Sequence, residues 1–237
     1  MTPDRLQIII ASLNRRQPDL TVIMENVIKP HNLAAVARSS DAVGCLDVHA
    51  ITEKKSIKLS QMSAGGVRKW IQLHCHKTTE ACVQQLKAQG MQIVTTCLAD
   101  DSKNFREVDY TKPTAILVGT ELEGISEQAM ALADEHITIP MFGHVQSLNV
   151  SVATALVLYE AQRQRELAGM YEQRRLSDDV YKRLLFEGCH PQVTRYCKAK
   201  KIPYPEINDE AEIIEPVADS KTFSNEGLTE WLRKKSP

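Results

Sequence analysis

Two short aliphatic segments near the middle of the chain each end at a residue that stops a strand. Residues 115–118 are followed by Gly119 and residues 137–139 by Pro140, and each pair leads through a loop into a helical pattern. Glycine or proline after so short a run favours the end of a strand. In open α/β sheets, ligands bind in the loops at the carboxyl ends of the strands. The sequence therefore predicts a ligand site in the loops that follow these two segments.

The same alternation of strand and helix occupies most of the chain. Further strand-like segments lie at 20–27, 47–52, 70–75 and 92–97, and helical patterns lie at 32–43 and 79–89. Strands that alternate with helices at this spacing are typical of a parallel sheet. We therefore predict an α/β fold with a mainly parallel six-stranded sheet and helices on both faces. Residues 53–69, rich in Lys, Ser and Gly, are expected to form a long mobile loop.

Both ends of the chain are predicted to extend this body. Thr2-Pro3 precedes an i, i+3, i+4, i+7 apolar stripe that indicates an amphipathic helix. Short helices are also expected at 178–186 and 192–200. The predicted organisation is a helical extension at 1–18, the α/β domain at 19–166, a second helical extension at 167–205 and an acidic, partly disordered tail at 206–237.

Composition favours a globular protein in the cytoplasm. The chain is 43% hydrophobic and 25% charged, and its apolar runs are far shorter than the roughly 18 residues of a membrane helix. The net charge of −1 hides a segregation along the chain: residues 160–201 carry ten Lys/Arg against six Asp/Glu, whereas 204–230 carry one Lys against eight carboxylates. The basic part could bind a polyanion, or both parts could be solvated helical faces and a tail.

No metal site is predicted from the cysteines and histidines. None of the six cysteines forms a C-x-x-C pair, and buried reduced thiols are expected. The nearest approach to a metal cluster is His74-Cys75-His76. Alternation along a strand would place the two imidazoles on one face and the thiol on the other, which argues against shared ligation.

Several common catalytic motifs are absent. The chain has no G-x-G, which excludes the dinucleotide-binding fingerprint, and neither G-x-S-x-G nor H-E-x-x-H occurs. The segment 119–126 has the spacing of a phosphate-binding loop, but Ile125 replaces its lysine and two carboxylates would repel phosphate.

Three other segments resemble the motifs of a known enzyme class. Residues 29–38 (KPHNLAAVAR), 117–124 (LVGTELEG) and 139–151 (IPM…QSLNVS) are similar to the motifs of SPOUT-class RNA ribose 2′-O-methyltransferases. The segments 15–21 (RRQPDLT), 159–165 (YEAQRQR) and 185–188 (LFEG) resemble the TrmH family within that class. The resemblance implies methyl transfer from S-adenosyl-L-methionine to the ribose of guanosine 18 in the D-loop of tRNA. It also implies a homodimer and a deep trefoil knot.

The resemblance also assigns roles to residues. Thr96, Gly119, Ile139 and Leu148 are expected to bind the cofactor, and the expected catalytic residues are Arg38, Asn32, Glu121, Ser147 and Asn149. Arg38 would act as general base or as electrostatic stabiliser of the alkoxide, two roles that the sequence does not separate. Asn32 would cap the helix at 32–43 or hold Arg38. The other three would cap the helices that follow them or orient cofactor and ribose.

Contact with RNA is expected to rest on basic side chains. The candidates are His31, Arg15, Arg16, Arg163, Arg165, Arg174 and Arg175. Since aromatic residues make up only 5% of the chain, recognition of folded RNA by shape is favoured over base stacking. The alternatives are 2′-O-methylation of the tRNA wobble ribose or of ribosomal RNA, methylation of a small molecule, or a catalytically silent RNA-binding module.

Overall fold

The structure is a computed structural model that describes residues 2–27, 29–52, 69–97, 102–120 and 124–214. The described residues divide into two compact units, of which Arg15–Arg175 is the larger and residues 2–14 with 176–214 the smaller. The expected mobile loop lies outside the described residues except for Lys69. The acidic tail lies outside them from residue 215 onwards.

The larger unit contains a wholly parallel sheet. Its strands are β1 (Leu20–Glu25), β2 (Asp47–Ile51), β3 (Gln72–His76), β4 (Gln92–Thr96), β5 (Lys103–Asn104), β6 (Thr114–Val118) and β7 (Glu135–Thr138). They pair in the order β3-β2-β1-β6-β4-β7-β5. The predicted parallel α/β fold is confirmed, but the predicted number of six strands is wrong, because the described residues form seven. The additional strand, β5, is two residues long and therefore too short to show a sequence pattern.

Seven helices lie among the described residues. They are α1 (Pro3–Asn14), α2 (Pro30–Ala42), α3 (Thr79–Ala88), α4 (Glu127–Leu132), α5 (Val150–Leu167), α6 (Asp178–Cys189) and α7 (Pro191–Lys200). Three of them begin at a polar side chain that accepts a hydrogen bond from the first turn: Thr78 before α3, Ser126 before α4 and Asn149 before α5. Such caps satisfy N–H groups that the helix leaves without partners. No described helix has the length and apolar character that crossing a membrane requires.

Helices cover both faces of the sheet, as predicted. Alternate residues of β1 enter two separate hydrophobic clusters: Val22 and Met24 pack with side chains of α2 and α5, whereas Ile23 packs with side chains of α3 and α4. Every residue of β1 and β6 is buried. Burial on both faces explains why the residues at 22–24 and at 115–118 are all apolar.

The strand order places the loops that follow β4, β6 and β7 side by side. β4 pairs with β6 on one side and with β7 on the other, and all three strands run in the same direction. Their carboxyl ends therefore meet at one edge of the sheet, although the three loops are separated in sequence.

The smaller unit is helical. α6 contacts both α1 and α7. Phe186 of α6 packs with Val193 and Cys197 of α7, and its ring stacks on Tyr204 with 4.7 Å between centroids. This unit contains the helices that were predicted at the two ends of the chain.

Candidate functional site

A cavity of about 490 Å³ lies at the carboxyl edge of β4, β6 and β7. Its lining residues come from the ends of these strands, the loops that follow them, α4 and the first turn of α5. They are Thr96, Cys97, Val118, Gly119, Thr120, Gly124, Ile125, Met130, Ile137, Thr138, Ile139, Met141, Gln146, Ser147, Leu148, Val150 and Ala153. None of these described lining residues carries a charged side chain. The cavity therefore suits a ligand that is held by apolar contact and by main-chain hydrogen bonds.

The loop after β6 depends on glycine. Thr120 and Gly124 exchange two backbone hydrogen bonds, of 3.0 and 3.1 Å, which close the loop at its base. Gly124 has a φ of 67°, a left-handed conformation that glycine adopts without strain. A Cβ atom on Gly119 would overlap the carbonyl group of Gly124. The two glycines thus allow the main chain to approach itself closely beside the cavity.

A buried carboxylate anchors the helix that follows this loop. Glu25, the last residue of β1, accepts hydrogen bonds from the N–H and the hydroxyl of Ser126 and from the hydroxyl of Thr79. The hydroxyl of Ser126 in turn accepts from the N–H of Ala129 and so caps α4. The sequence analysis missed Glu25, although a carboxylate that ends a buried strand was a signal, because a buried acid needs partners.

The structure brings together five of the residues that were predicted for the site. Thr96, Gly119, Ile139 and Leu148, the expected cofactor ligands, all line the cavity, as does Ser147. They come from the end of β4, the loop that follows β6 and the loop that joins β7 to α5.

Asn149 and Asn32 connect the cavity to α2. The Oδ1 atom of Asn149 accepts hydrogen bonds from the N–H and the hydroxyl of Ser151 and caps α5, while its Nδ2 donates to Oδ1 of Asn32 at 3.3 Å. Asn32 is buried in the first turn of α2. The expectation that Asn32 caps this helix is wrong, because α2 begins earlier, with Lys29 at the cap position and Pro30 in the first turn.

Arg38 does not line the cavity of its own chain. It lies on α2 six residues after Asn32, about 9 Å further along the helix axis. Its side chain is exposed, and it makes no hydrogen bond or ion pair within the part of the chain that the structure describes. The other charged residue of the predicted catalytic set, Glu121, lies outside the described residues.

Arg165, which was expected to contact RNA, is fully buried. Its guanidinium donates five hydrogen bonds, to Gln17, to the Asp19 side chain and to the carbonyl oxygens of Asp19, Tyr110 and Lys112. Because all its N–H groups are satisfied inside the protein, it has no donor to offer to RNA. The prediction for Arg165 is therefore wrong, and its role is to hold the end of α5 against the start of β1.

Two further arginines of the predicted RNA surface are paired with carboxylates of the protein. Arg16 is 2% exposed and pairs with Asp41 at 2.8 Å and with the carbonyl of Cys45, so the prediction of a surface role is wrong for Arg16 as well. Arg175 donates to both carboxylate oxygens of Asp19. Burial tends to raise the pKa of Asp19, but the hydrogen bonds and charges of Arg175 and Arg165 outweigh burial and lower it.

The remaining basic candidates are on the surface. His31, Arg15 and Arg174 are exposed. Arg163 is also exposed but donates two hydrogen bonds to the carboxylate of Glu160, which lower the pKa of that carboxyl. The side chain of Arg163 is exposed whereas that of Glu160 is buried, so the pair lies only partly in solvent.

Comparison with known proteins gives one consistent family. The chain matches the SpoU rRNA Methylase family over residues 19–159 and the family described as SpoU, rRNA methylase, C-terminal over residues 163–216. An Escherichia coli (strain K12) protein named tRNA (guanosine(18)-2'-O)-methyltransferase is 51% identical over 215 residues, which are 90% of this chain and 94% of that protein.

Solved structures agree with this result. The A. aeolicus TrmH/SpoU tRNA modifying enzyme is 42% identical with a TM-score of 0.72, over 80% of this chain and 97% of that one. An AdoMet-bound rRNA methyltransferase from Sinorhizobium meliloti is 30% identical with a TM-score of 0.55, over 65% of this chain and 59% of that one. The resemblance seen in the motifs is confirmed, and the chain belongs to the SpoU methylase family.

Proposed function

We propose that the chain transfers a methyl group from S-adenosyl-L-methionine to the ribose 2′-hydroxyl of guanosine 18 in tRNA. The observation that carries the proposal is the convergence of three loops, distant in sequence, on one cavity at the sheet edge, whose described lining residues carry no charged side chain. The name of the E. coli relative, which is 51% identical over nearly the whole chain, specifies this reaction.

The cavity fits the proposed cofactor. Its volume lies in the range of pockets for small ligands, and aliphatic side chains such as Ile139 and Leu148 would hold the flat adenine ring. The strand ends expose N–H and C=O groups that would bind the polar edge of the ring. When bound, the cofactor supplies a methyl group on a positively charged sulfur.

Residues of the chain would then activate the ribose. We propose that Arg38 stabilises the 2′-oxygen as it loses its proton, because a guanidinium stays protonated and is a poor base. The hydrogen bond between Asn149 and Asn32 would keep the segment that carries Ser147 at the cavity. Ser147 and Glu121 would orient the ribose and the cofactor.

The proposal also includes a homodimer and a location in the cytoplasm. A homodimer is supported by three exposed apolar side chains, Val152, Leu156 and Tyr159, that follow one face of α5 at helical spacing. Since Arg38 is exposed and lies off the cavity of its own chain, a second subunit could receive it. A location in the cytoplasm follows from a tRNA substrate.

A trefoil knot is supported by the path of the chain after β7. β7 lies beyond β4, away from β6, yet the next helix, α5, contacts both β6 and α2. The segment 139–149 must therefore cross back over the strands at the edge where the loops after β4 and β6 lie. We propose that this crossing threads the chain, an exception among folds.

For RNA contact we propose the exposed residues His31, Arg15, Arg163 and Arg174. Contacts to phosphate by such side chains provide affinity that falls with salt and carries little sequence information. Choice of the guanosine would then depend on the shape of the folded tRNA.

The test is a transfer assay with radiolabelled S-adenosyl-L-methionine and an unmodified tRNA transcript. We expect label at the ribose of guanosine 18 and none in a transcript that already carries the 2′-O-methyl group there. Label at another nucleotide would support methylation of the wobble ribose or of ribosomal RNA. Label in small molecules without RNA would support methylation of a small molecule. Absence of transfer despite tRNA binding would favour the silent RNA-binding module.

A further inference from the structure

A second set of possible ligand atoms lies away from the cavity, where α3 packs over β2 and β3. His49 lies on β2, His76 ends β3, and Cys82 is in the first turn of α3. One atom from each residue, the two ring nitrogens and the sulfur, lies within 4.8 Å of the other two. The Nδ1 atom of His49 and the Nε2 atom of His76 are 3.0 Å apart. Two nitrogens and one sulfur from three different elements thus lie close together.

These donor atoms match the preferences of one metal ion. Zn²⁺ takes thiolate sulfur and imidazole nitrogen in a tetrahedral arrangement, with Zn–N distances of about 2.0–2.1 Å. Two nitrogens bound to a tetrahedral ion at that distance are about 3.3 Å apart. The observed separation of 3.0 Å needs to widen by only a few tenths of an ångström. Mg²⁺ and Ca²⁺ prefer oxygen ligands and fit this site poorly.

We propose that His49, His76 and Cys82 bind a Zn²⁺ ion that links α3 to β2 and β3. His49 and Cys82 are buried, whereas His76 is partly exposed. The ion would enter on the side of His76, and water would occupy the fourth position. The site lies apart from the methyl-transfer cavity, so the proposal does not depend on the proposed function.

The neighbouring side chains support the placement of the ligands. The Nε2 atom of His74 bonds to Oδ1 of Asp47 at 2.7 Å, so His74 is already engaged. Its ring stacks on that of His49, with 5.0 Å between centroids, and fixes the orientation of that imidazole. Supporting contacts of this kind position metal ligands in proteins.

Binding of the ion would also move protons, because a metal ion binds a ring nitrogen that carries no hydrogen and a sulfur that has lost its proton. The hydrogen now shared by the facing nitrogens of His49 and His76 would move to the other nitrogen of its ring. Binding would therefore release a single proton, from sulfur to solvent.

The sequence analysis predicted no metal site because it considered only the thiol between the two histidines of β3. Cys75 does lie on the opposite face from His76 and is exposed. The thiol of the proposed site comes from α3, and periodicity within one strand carries no information about the helix that packs on it.

The experiment is metal binding by the tag-free, full-length protein after treatment with a chelator. Co²⁺ serves as a probe, because a cobalt–thiolate bond gives a charge-transfer band and a tetrahedral site gives intense visible bands. We expect the parent protein to bind a single equivalent of Zn²⁺ or Co²⁺ and to melt at a higher temperature with Zn²⁺. The variants Cys82→Ser and His76→Asn should no longer bind this equivalent of metal ion.

Two further cysteine variants serve as controls for the metal-binding experiment. Cys75→Ser removes a thiol from the other face of β3 and should bind like the parent. Cys82→Ala retains the apolar packing of the position and replaces Cys82→Ser if the serine variant does not fold. Absence of a stoichiometric ion in the parent, or a thiolate band of equal intensity in the Cys82 variant, would overturn the proposal.

Discussion

The carboxylate of Glu25 accepts hydrogen bonds of 2.9 Å from both the N–H and the hydroxyl of Ser126, 101 residues later in the chain. Glu25 is 4% exposed, and the hydroxyl of Thr79 is its third donor. Ser126 caps α4 directly after the loop that borders the cavity. One side chain at the end of β1 therefore fixes the position of the residue at which the loop after β6 ends and α4 begins.

The first prediction concerns Glu25→Gln. Glutamine has a single acceptor oxygen, so at least one of the buried donors loses its partner, at a cost of about 1–3 kcal/mol in the free energy of unfolding. We also expect weaker binding of S-adenosyl-L-methionine, measured by calorimetry. Glu127→Gln, an exposed change in the first turn of α4, is the control. Equal losses in the two variants would show that Glu25 has no special role.

The second prediction compares two glycines near the cavity. Gly119→Ala would place a Cβ atom against the carbonyl of Gly124, so we expect the loop to move and cofactor binding to be lost. Gly143→Ala is the control, since a Cβ atom there meets no atom within 4 Å. Titration calorimetry measures binding, and thermal melting checks the fold. Normal binding by Gly119→Ala would mean that the close approach is not needed for the site.

The third prediction concerns Arg38→Ala. If the guanidinium stabilises the developing alkoxide, its loss should lower kcat roughly 100- to 1000-fold, as removal of one such donor does elsewhere. Affinity for tRNA should change little. Arg106→Ala, which removes an exposed arginine that lies over the Phe105 ring, is the control. A large loss of tRNA affinity with unchanged kcat would instead assign Arg38 to RNA binding.

The sequence predicted the residues of the cavity better than it predicted the basic residues of the RNA-binding surface. The loops of the cavity could be identified because the carboxyl ends of parallel strands share an edge and because the segments 115–118 and 137–139 stop at Gly119 and Pro140. β5 escaped detection because two residues cannot show a period. The error at Arg165 has a different origin. In the sequence it stands in a polar helical segment, and only the fold brings it to Asp19, 146 residues earlier.

The fourth prediction follows from the pairing of Asp19 with Arg165 and Arg175. Asp19→Asn leaves the buried guanidinium of Arg165 without its counter-charge, and loss of one partner of a buried pair costs about 3–5 kcal/mol. The lowered pKa of Asp19 sets the pH dependence. The carboxylate stabilises the fold above its ordinary pKa of 3.8, and this contribution disappears as pH falls through the lower folded-state pKa.

Urea unfolding at several pH values measures the difference between the parent and Asp19→Asn. The difference should be constant above pH 3.8 and should shrink below it. Asp109→Asn, which changes an exposed carboxylate, should have a small effect throughout. A constant difference down to the most acidic pH would contradict the assignment.

The fifth prediction tests the proposed dimer through the exposed face of α5. Leu156 lies between Val152 and Tyr159 on that face and is 41% exposed in the single chain. If a second subunit covers it, Leu156→Arg buries a charge without a partner and should shift the protein to monomers in analytical ultracentrifugation. Ile8→Arg is the control, because Ile8 is also an exposed apolar residue but lies in the smaller unit. The parent should sediment as a dimer, and a dimer that survives Leu156→Arg would place the interface elsewhere.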